Sequence, residues 1–483
     1  MKRFITRDPY SLRRVLALYQ RFNEAGDFTR RLLRKFVPTA YALHRGRGHI
    51  SAVVCVALVI VILTGYGATA QTPDPGMHNF VASGAYTPGQ FTDVHETSWY
   101  SRYIGIAYDY GLFRGRTENN FDPGGLLTLA EAVILAARLR SIFHTADVSF
   151  TVTFPFYRAY VNYAIRHGII TEYADYSVPV TRAQFAAMMH RALPADVFPQ
   201  INTIADFGIP DVSPHQLYGS SVYALYRAGV LSGSDRFGTF FPYSNISRAE
   251  SSAILVRVVD VNSRIQVSLP TAIPAELIFQ RSTDASVLIE TFDSNGRPVR
   301  TASGFFVTKD GLILTNFHVF DFAESATVRL VNETEYTVLG VIAACRIDNL
   351  ALVVIDTEYS GYSFLTLADS DAVETGNSVY VIGSPMALMN SITNGNVSAM
   401  NRVANGRYYI QFSAAISFGS GGSALLNTLG QVIGVSYLSY VDGQNINLAV
   451  PINRAAELFV LNEIITLYAA RTFDFAQFLA DNG

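Results

Sequence analysis

The sequence predicts a multidomain protein in which a region of helical repeats is followed by a domain of short β-strands. Three observations carry that prediction. A helix-start signal followed by an apolar stripe recurs three times between about residues 90 and 258. From 275 onward the pattern changes to short apolar runs separated by turn dipeptides. A basic and then apolar segment stands ahead of both. At 483 residues the chain is long enough for two or three domains with cores of their own. With 49% hydrophobic and 16% charged residues, its composition is that of a folded chain rather than a disordered one.

The first fifty residues carry twelve Lys/Arg against three acids, Asp8, Glu24 and Asp27. The run "ISAVVCVALVIVILTGYG" and then "ATA" at 68–70 follow. A basic region, a short apolar core and an A-x-A site make residues 1–70 a Sec-type signal peptide, with Ala70 the last residue removed. The rival reading is an uncleaved anchor that meets the membrane through residues 50–66 and keeps a cytoplasmic N-terminus. Both place the rest of the chain outside the cytoplasm, in the cell envelope or wall. Without that segment 24 basic and 36 acidic residues remain, a net charge of −12. Such a body has no general attraction for nucleic acid or anionic lipid, so any polyanion must be held by a local basic site. Cys55 and Cys345 are the two cysteines, too few and too far apart for a disulfide framework or a cysteine-rich metal site.

The clearest repeat copies are "LTLAEAVILAARL" from Leu127, "VTRAQFAAMMHRAL" from Val180 and "ISRAESSAILVRVV" from Ile246. Each opens on a hydroxyl residue with Glu or Gln three places on: Thr128/Glu131, Thr181/Gln184 and Ser247/Glu250. That spacing is a capping box, in which the two side chains satisfy free backbone N–H groups at a helix start. A second helical stretch precedes each copy and ends near a glycine suited to a helix C-cap. Three helical hairpins spaced 50–70 residues apart predict repeats, at about 90–140, 150–195 and 204–258, that share one core.

The stretches "FTDVHETSWYSRYIGIAYDYGLFRG", "FDPGGLLTLAEA" and "DVSPHQLYGSSVYALYRAGVLSGSDRFGTFFPYSNISRAESS" resemble the S-layer homology (SLH) family; the middle repeat is recognised mainly by "VTRAQ". The resemblance implies an all-α, three-repeat module that docks on an acidic cell-wall polysaccharide. It places the family's motif arginine on Arg182 and Arg248, and its aromatic on Trp99. A guanidinium can grip a carboxylate bidentately, and an indole offers a flat face to a sugar ring. Repeat one has Leu129 in the arginine position, and repeats two and three lack the Trp.

Residues 259–274, polar and with two prolines, read as a linker. Beyond it, runs such as "ASVLIETFDSNGRPV", "GFFVTKDGLILTNF", "LALVVID" and "QVIGVSYL", with Asn295-Gly296 and Asp310-Gly311 as hairpin turns, predict a β-barrel or sandwich. Residues 275–465 form this domain and 466–483 a C-terminal tail. "SGFFVTKDGLILTNFHVF", "NLALVVID" and "YIQFSAAISFGSGGSALLNTLGQVIGV" resemble the HtrA/DegP-like trypsin family. The resemblance implies an all-β double barrel with a Ser-His-Asp site between the barrels, peptide or unfolded protein as ligand, and a homotrimer.

The resemblance places the general base on His318. The family's acid precedes "LA", which here is Asn349, with Asp348 one residue earlier. An Asn can hold the imidazole but supplies no charge, and Asp348 reaches the ring only if the strand bulges by one residue. In "AAISFGSGGSALLN" both flanks put the nucleophile position on Gly421, leaving Ser420 one place early and Ser423 two places late. Gly419 and Gly421 can still present oxyanion-hole N–H groups. The sequence therefore predicts a protease homologue impaired in turnover that binds peptide or protein or serves as a structural module of the envelope, with an active endopeptidase that cleaves unfolded or envelope proteins using His318, Asp348 and Ser420 as the alternative. Nothing in it calls for a cofactor, a nucleotide or a catalytic metal.

Overall fold

All three capping boxes form in the computed structural model, which describes residues 76–171, 174–384, 391–404, 406–439, 446–456 and 458. The expected signal segment at 1–70 and the tail at 466–483 lie outside the described residues. The boxes open helices α2 (Leu129–Thr145), α4 (Arg182–Ala192) and α6 (Arg248–Val259). In each the cap hydroxyl accepts from the backbone N–H three residues on, at 3.2 Å. The returning Glu or Gln oxygen accepts the cap's own N–H at 2.8–3.0 Å. One such cap is worth about 1 kcal/mol.

The preceding helices are nine residues each: α1 (Ser101–Asp109), α3 (Arg158–Arg166) and α5 (Gly219–Arg227). They stop at Gly111, Gly168 and Gly229, whose φ values of 65°, 69° and 72° lie where a side chain would be strained. Buried residues of all three repeats join in one apolar cluster that includes Ile104, Leu135, Phe185, Tyr223 and Leu255. Among the described residues, the region also has short 3-10 turns and isolated β-bridges.

Those bridges sit just before the caps and close a ring. Leu127 N–H donates to Ile246, Ile246 N–H to Val180, and Val180 N–H to Leu127, at 2.8–3.1 Å. The first N–H groups of each helix, which have no partner inside the helix, donate to the loop of the next repeat. Leu129 and Ala130 reach Val178 and Tyr176; Arg182 and Ala183 reach Ser244 and Pro242; Arg248 and Ala249 reach Gly125 and Pro123. Three repeats thus satisfy one another's helix starts around a pseudo-threefold axis.

The stretch at 259–274 has no strand and only the 3-10 turn Val261–Ser263, capped by Asp260. It is bonded on both sides, with Ile265 N–H on Gly229, Val267 N–H on the Asn202 side chain and Ile273 N–H on Thr428. Helix α7 (Ala275–Thr283) leads into the barrels.

Barrel one closes in the order β1-β2-β3-β6-β5-β4, from β1 (Ser286–Phe292), β2 (Pro298–Phe306), β3 (Leu312–Thr315), β4 (Ser325–Arg329), β5 (Glu335–Cys345) and β6 (Leu350–Ile355). Barrel two closes as β10-β11-β12-β9-β8-β7, from β7 (Ser378–Gly383), β8 (Ser391–Ala404), β9 (Arg407–Phe412), β10 (Ala424–Leu426), β11 (Val432–Ser439) and β12 (Asn447–Pro451). Closure leaves neither sheet an open edge. Barrel two is fastened to repeat three by Gln431, fully buried, whose side-chain N–H groups donate to the carbonyls of Phe207 and Ile209 at 3.0 and 2.9 Å. Arg281 of α7 pairs with Asp235 at 3.0 Å.

Candidate functional site

His318 lies in a 3-10 turn, Phe317–Phe320, just after β3. Strand β3 pairs with β6 in unbroken register from Leu312↔Val354 to Thr315↔Ala351. That register brings the residue just ahead of β6 beside the histidine, and the residue is Asn349. Its φ of 55° is a left-handed conformation that Asn tolerates better than most residues. Asn349 Oδ1 accepts the backbone N–H of His318 at 2.8 Å, which fixes the amide orientation. Nδ2 then sits 2.8 Å from His318 Nδ1, and Oδ1 sits 3.1 Å from it. A proton on Nδ1 would collide with the amide hydrogens, so Nδ1 accepts and the ring proton resides on Nε2. A general base needs the opposite tautomer, with a lone pair on Nε2. Burial pushes the His318 pKa down and Arg300 adds to this, while Asp321 acts against it.

Asp348, the alternative acid, does not reach the ring. No bulge interrupts the β3–β6 pairing, and the carboxylate lies 3.2 Å from Arg454 and 3.7 Å from Arg407. It links the two barrels instead of serving the histidine.

Neither serine of the loop reaches it either. Ser420 is 3% exposed, and its Oγ accepts the N–H of Ser417 at 3.2 Å, folded back into its own turn. Ser423 is fully buried against Gly383 of β7. Gly421 is the residue that faces His318. A Cβ built there would stand 4.0 Å from His318 Nε2 and 3.4 Å from Asn316 Oδ1, with no clash. Its φ lies outside the left-handed region, unlike Gly419 at 88° and Gly422 at 86°. A side chain would fit at 421, whereas at 422 a Cβ would fall 2.1 Å from the Ser303 carbonyl.

Ser303 of β2, which sequence reasoning passed over, holds this loop. Its N–H donates to Gly421 O and its Oγ to Gly419 O, both at 2.8 Å. The signal was the serine opening "SGFFVTKDG", a stretch read only for its resemblance. Asn316 was also missed; it is fully buried, and its Oδ1 has no hydrogen-bond partner among the described residues. The N–H groups of Gly419 and Gly421 make no hydrogen bond within the described residues.

In the repeats, Arg182 and Arg248 are 8% and 4% exposed, so they are not offered to a wall polymer as expected. Arg182 donates from Nε to Phe240 O at 2.8 Å and pairs with Glu250 at 2.5 Å. Arg248 donates from Nε to Phe121 O at 2.9 Å and lies 3.5 Å from Glu131. It stacks on Phe113 and Phe121, and burial takes its pKa down to about 10. Each arginine therefore ties its repeat to the capping-box Glu of the next. The third seam, between repeats one and two, has Leu129 and Gln184 in those two places and carries no charge.

Trp99 is 60% exposed, one residue before the N-cap Tyr100 of α1. Phe156 and Leu217 hold the same place before Tyr157 and Tyr218, at 63% and 88% exposure. The chain has one Trp, and in repeats two and three Phe156 and Leu217 take its place. Among the described residues, no group of His, Cys, Asp or Glu could hold a metal ion, and no helix is long and apolar enough to cross a membrane.

Residues 90–133, 153–186 and 208–250 match the S-layer homology domain, and residues 302–435 match the trypsin-like peptidase domain. Serine protease HTRA2 of Bos taurus is 35% identical over 192 residues, covering 37% of this chain and 41% of that protein. A DegP-like protein of Rhizobium meliloti, named as a periplasmic serine endoprotease, is 31% identical over 173 residues, covering 35% and 34%. Serine protease HTRA4 of Homo sapiens is 34% identical over 167 residues, covering 33% and 34%. The chain carries SLH repeats ahead of a trypsin-like peptidase domain with HtrA/DegP serine proteases as homologues. It spans less than half the length of these curated relatives.

Proposed function

We propose that this is an exported protein held at the cell wall by its SLH repeats, whose paired barrels bind peptide or unfolded protein without hydrolysing it. One observation carries the second half: the backbone position facing His318 Nε2 belongs to Gly421 and has no side chain. Attack on a carbonyl needs a nucleophile within ~3–3.5 Å in line, and Ser420 Oγ is engaged inside its own turn. The Asn349 amide, which leaves the proton on Nε2, supports the same reading.

A fluorophosphonate probe and unfolded casein test it. Neither labelling nor cleavage is expected from the full chain. Labelling that vanishes in Ser420→Ala would restore the endopeptidase reading and end this one.

For the wall, the exposed residues before the first helices are the candidate contacts with acidic polysaccharide, because the two arginines are committed to seams. Trp99→Ala combined with Phe156→Ala is expected to reduce retention on isolated cell walls several-fold. Unchanged retention, with helical content intact by circular dichroism, would refute that assignment.

A further inference from the structure

With no hydroxyl at 421, the cleft is a cluster of hydrogen-bond donors looking for an acceptor. Among the described residues, the N–H groups of Gly419 and Gly421 are unspent. The Asn349 amide leaves a third donor, the Nε2–H of His318, about where a base would have offered a lone pair. The volume a serine side chain would fill is open, since the atoms nearest a Cβ at 421 stand 3.4–4.0 Å away. An internal peptide bond brings one carbonyl oxygen to such a place. A chain terminus brings two oxygens and a full negative charge.

Resting on the non-hydrolysing reading above, we propose that the cleft captures the free C-terminal carboxylate of a peptide or unfolded chain. One oxygen is held by the N–H pair of Gly419 and Gly421, and the other by His318 Nε2–H. Adjacent backbone N–H groups form concave sites for anions, and capture of terminal carboxylates is a recurring use of them. Hydrogen bonds to an ionised acceptor are roughly twice as strong as neutral ones, so the same donors discriminate acid from amide. Asn316 Oδ1, buried beside Gly421, is an acceptor and repels an oxygen on its own side. That leaves the carboxylate the two sides where N–H groups wait. Phe418, strongly exposed and one residue before Gly419, gives the terminal side chain an apolar surface.

The proposal separates the roles of three residues. Gly421 supplies room as well as a donor, so a side chain there should compete with the ligand. His318 acts as a donor and not as a base. Asn349 is a positioning residue, acting only through the tautomer it sets.

The experiment is fluorescence anisotropy on the full chain with a labelled Ala-rich decapeptide ending in Leu, supplied as free acid and as C-terminal amide. The acid is expected to bind at least tenfold more tightly at pH 7.5. His318→Phe should abolish the preference. Asn349→Asp, compared with the parent at about pH 9.5 so that the ring stays neutral, should also abolish it, by holding the proton on Nδ1 and turning Nε2 into an acceptor. Because Asn349→Asp alters only an amide group, it keeps the test open if His318→Phe fails to fold. Equal binding of acid and amide would overturn carboxylate capture while leaving the peptide-cleft reading intact, and so would a preference that survives both changes. Binding of neither probe would overturn both, whereas cleavage of either would overturn the reading on which the proposal rests.

Discussion

The seam between repeats one and two and the cleft between the barrels have each departed from a pattern found elsewhere in the molecule or implied for it, and in each the departure comes as a pair. At the seam, Leu129 stands where Arg182 and Arg248 stand in the other repeats, and Gln184 stands where Glu131 and Glu250 stand. A buried charge left alone costs several kcal/mol, so a leucine opposite an unpaired glutamate would be a poor exchange. Loss of both charges leaves an intact capping box and a neutral join. In the cleft, Gly421 and Asn349 stand where the resemblance implies a nucleophile and an acid, and again no buried charge is stranded. The difference lies in what persists. The seam keeps its packing function by other means, while the cleft keeps a histidine, open donors and a space, the features on which the binding function proposed above rests.

The largest effect expected from this comparison comes from reversing the cleft. Gly421→Ser places a hydroxyl facing His318 without a clash at Cβ, and Asn349→Asp restores the tautomer. Together they should give fluorophosphonate labelling where the parent gives none. Gly421→Ser alone should label some 10⁴-fold more slowly, the known cost of Asn in the acid's place. Equal rates with and without the Asp would show that Asn349 does not control the ring.

The seam predicts a smaller effect, measured by urea unfolding. Arg248→Ala opens a hole against Phe113 and Phe121 and takes the donor from the carbonyls of Phe121 and Arg114, for a loss of about 1–3 kcal/mol per carbonyl left unsatisfied. Arg248→Leu with Glu131→Gln copies the neutral seam and should recover much of that loss. A double change as damaging as Arg248→Ala would mean the neutral seam is tolerated only where it occurs.

The smallest effect is a titration. The His318 imidazole should protonate below the usual ~6.5, as read by NMR of its ring protons. A folded state that holds the proton more weakly than the unfolded chain loses stability as pH falls through that ordinary value. Asn349→Asp supplies a charge beside Nδ1 and should raise the pKa by roughly 1–3 units. A wild-type value above 6.5 would contradict the burial assigned to the ring.

Much of this was legible in the sequence because it depends on local spacing. The capping boxes, the glycine stops and the place of Gly421 and Asn349 are set by residues a few positions apart. The uses of Arg182 and Arg248 were not legible. Whether a guanidinium faces water or a neighbouring carbonyl depends on contacts 58 and 127 residues away. Ser303 escaped for the same reason, since it acts on a loop 116 residues downstream. The amide orientation of Asn349 follows from a single backbone N–H that no pattern of side chains announces. Asp348 could serve the ring only through a bulge, because a shift of one residue in a strand turns the side chain to the opposite face, and whether a bulge is present depends on a strand pairing the string does not show.

The ring joining Leu127, Val180 and Ile246 bears on the order in which the molecule is made. Its closing bonds join residues 119 positions apart, so the ring cannot close, and repeat two cannot complete its helix start, before the third has been synthesised. A chain crossing a membrane from its N-terminus would remain incomplete until residue 246 and the helix after it emerge. Only then would repeat three present the carbonyls of Phe207 and Ile209 in place for Gln431. The long closure makes the repeats slow to fold for a helical region. It also gives the chain an assembly order in which the repeats set first and the barrels dock against them.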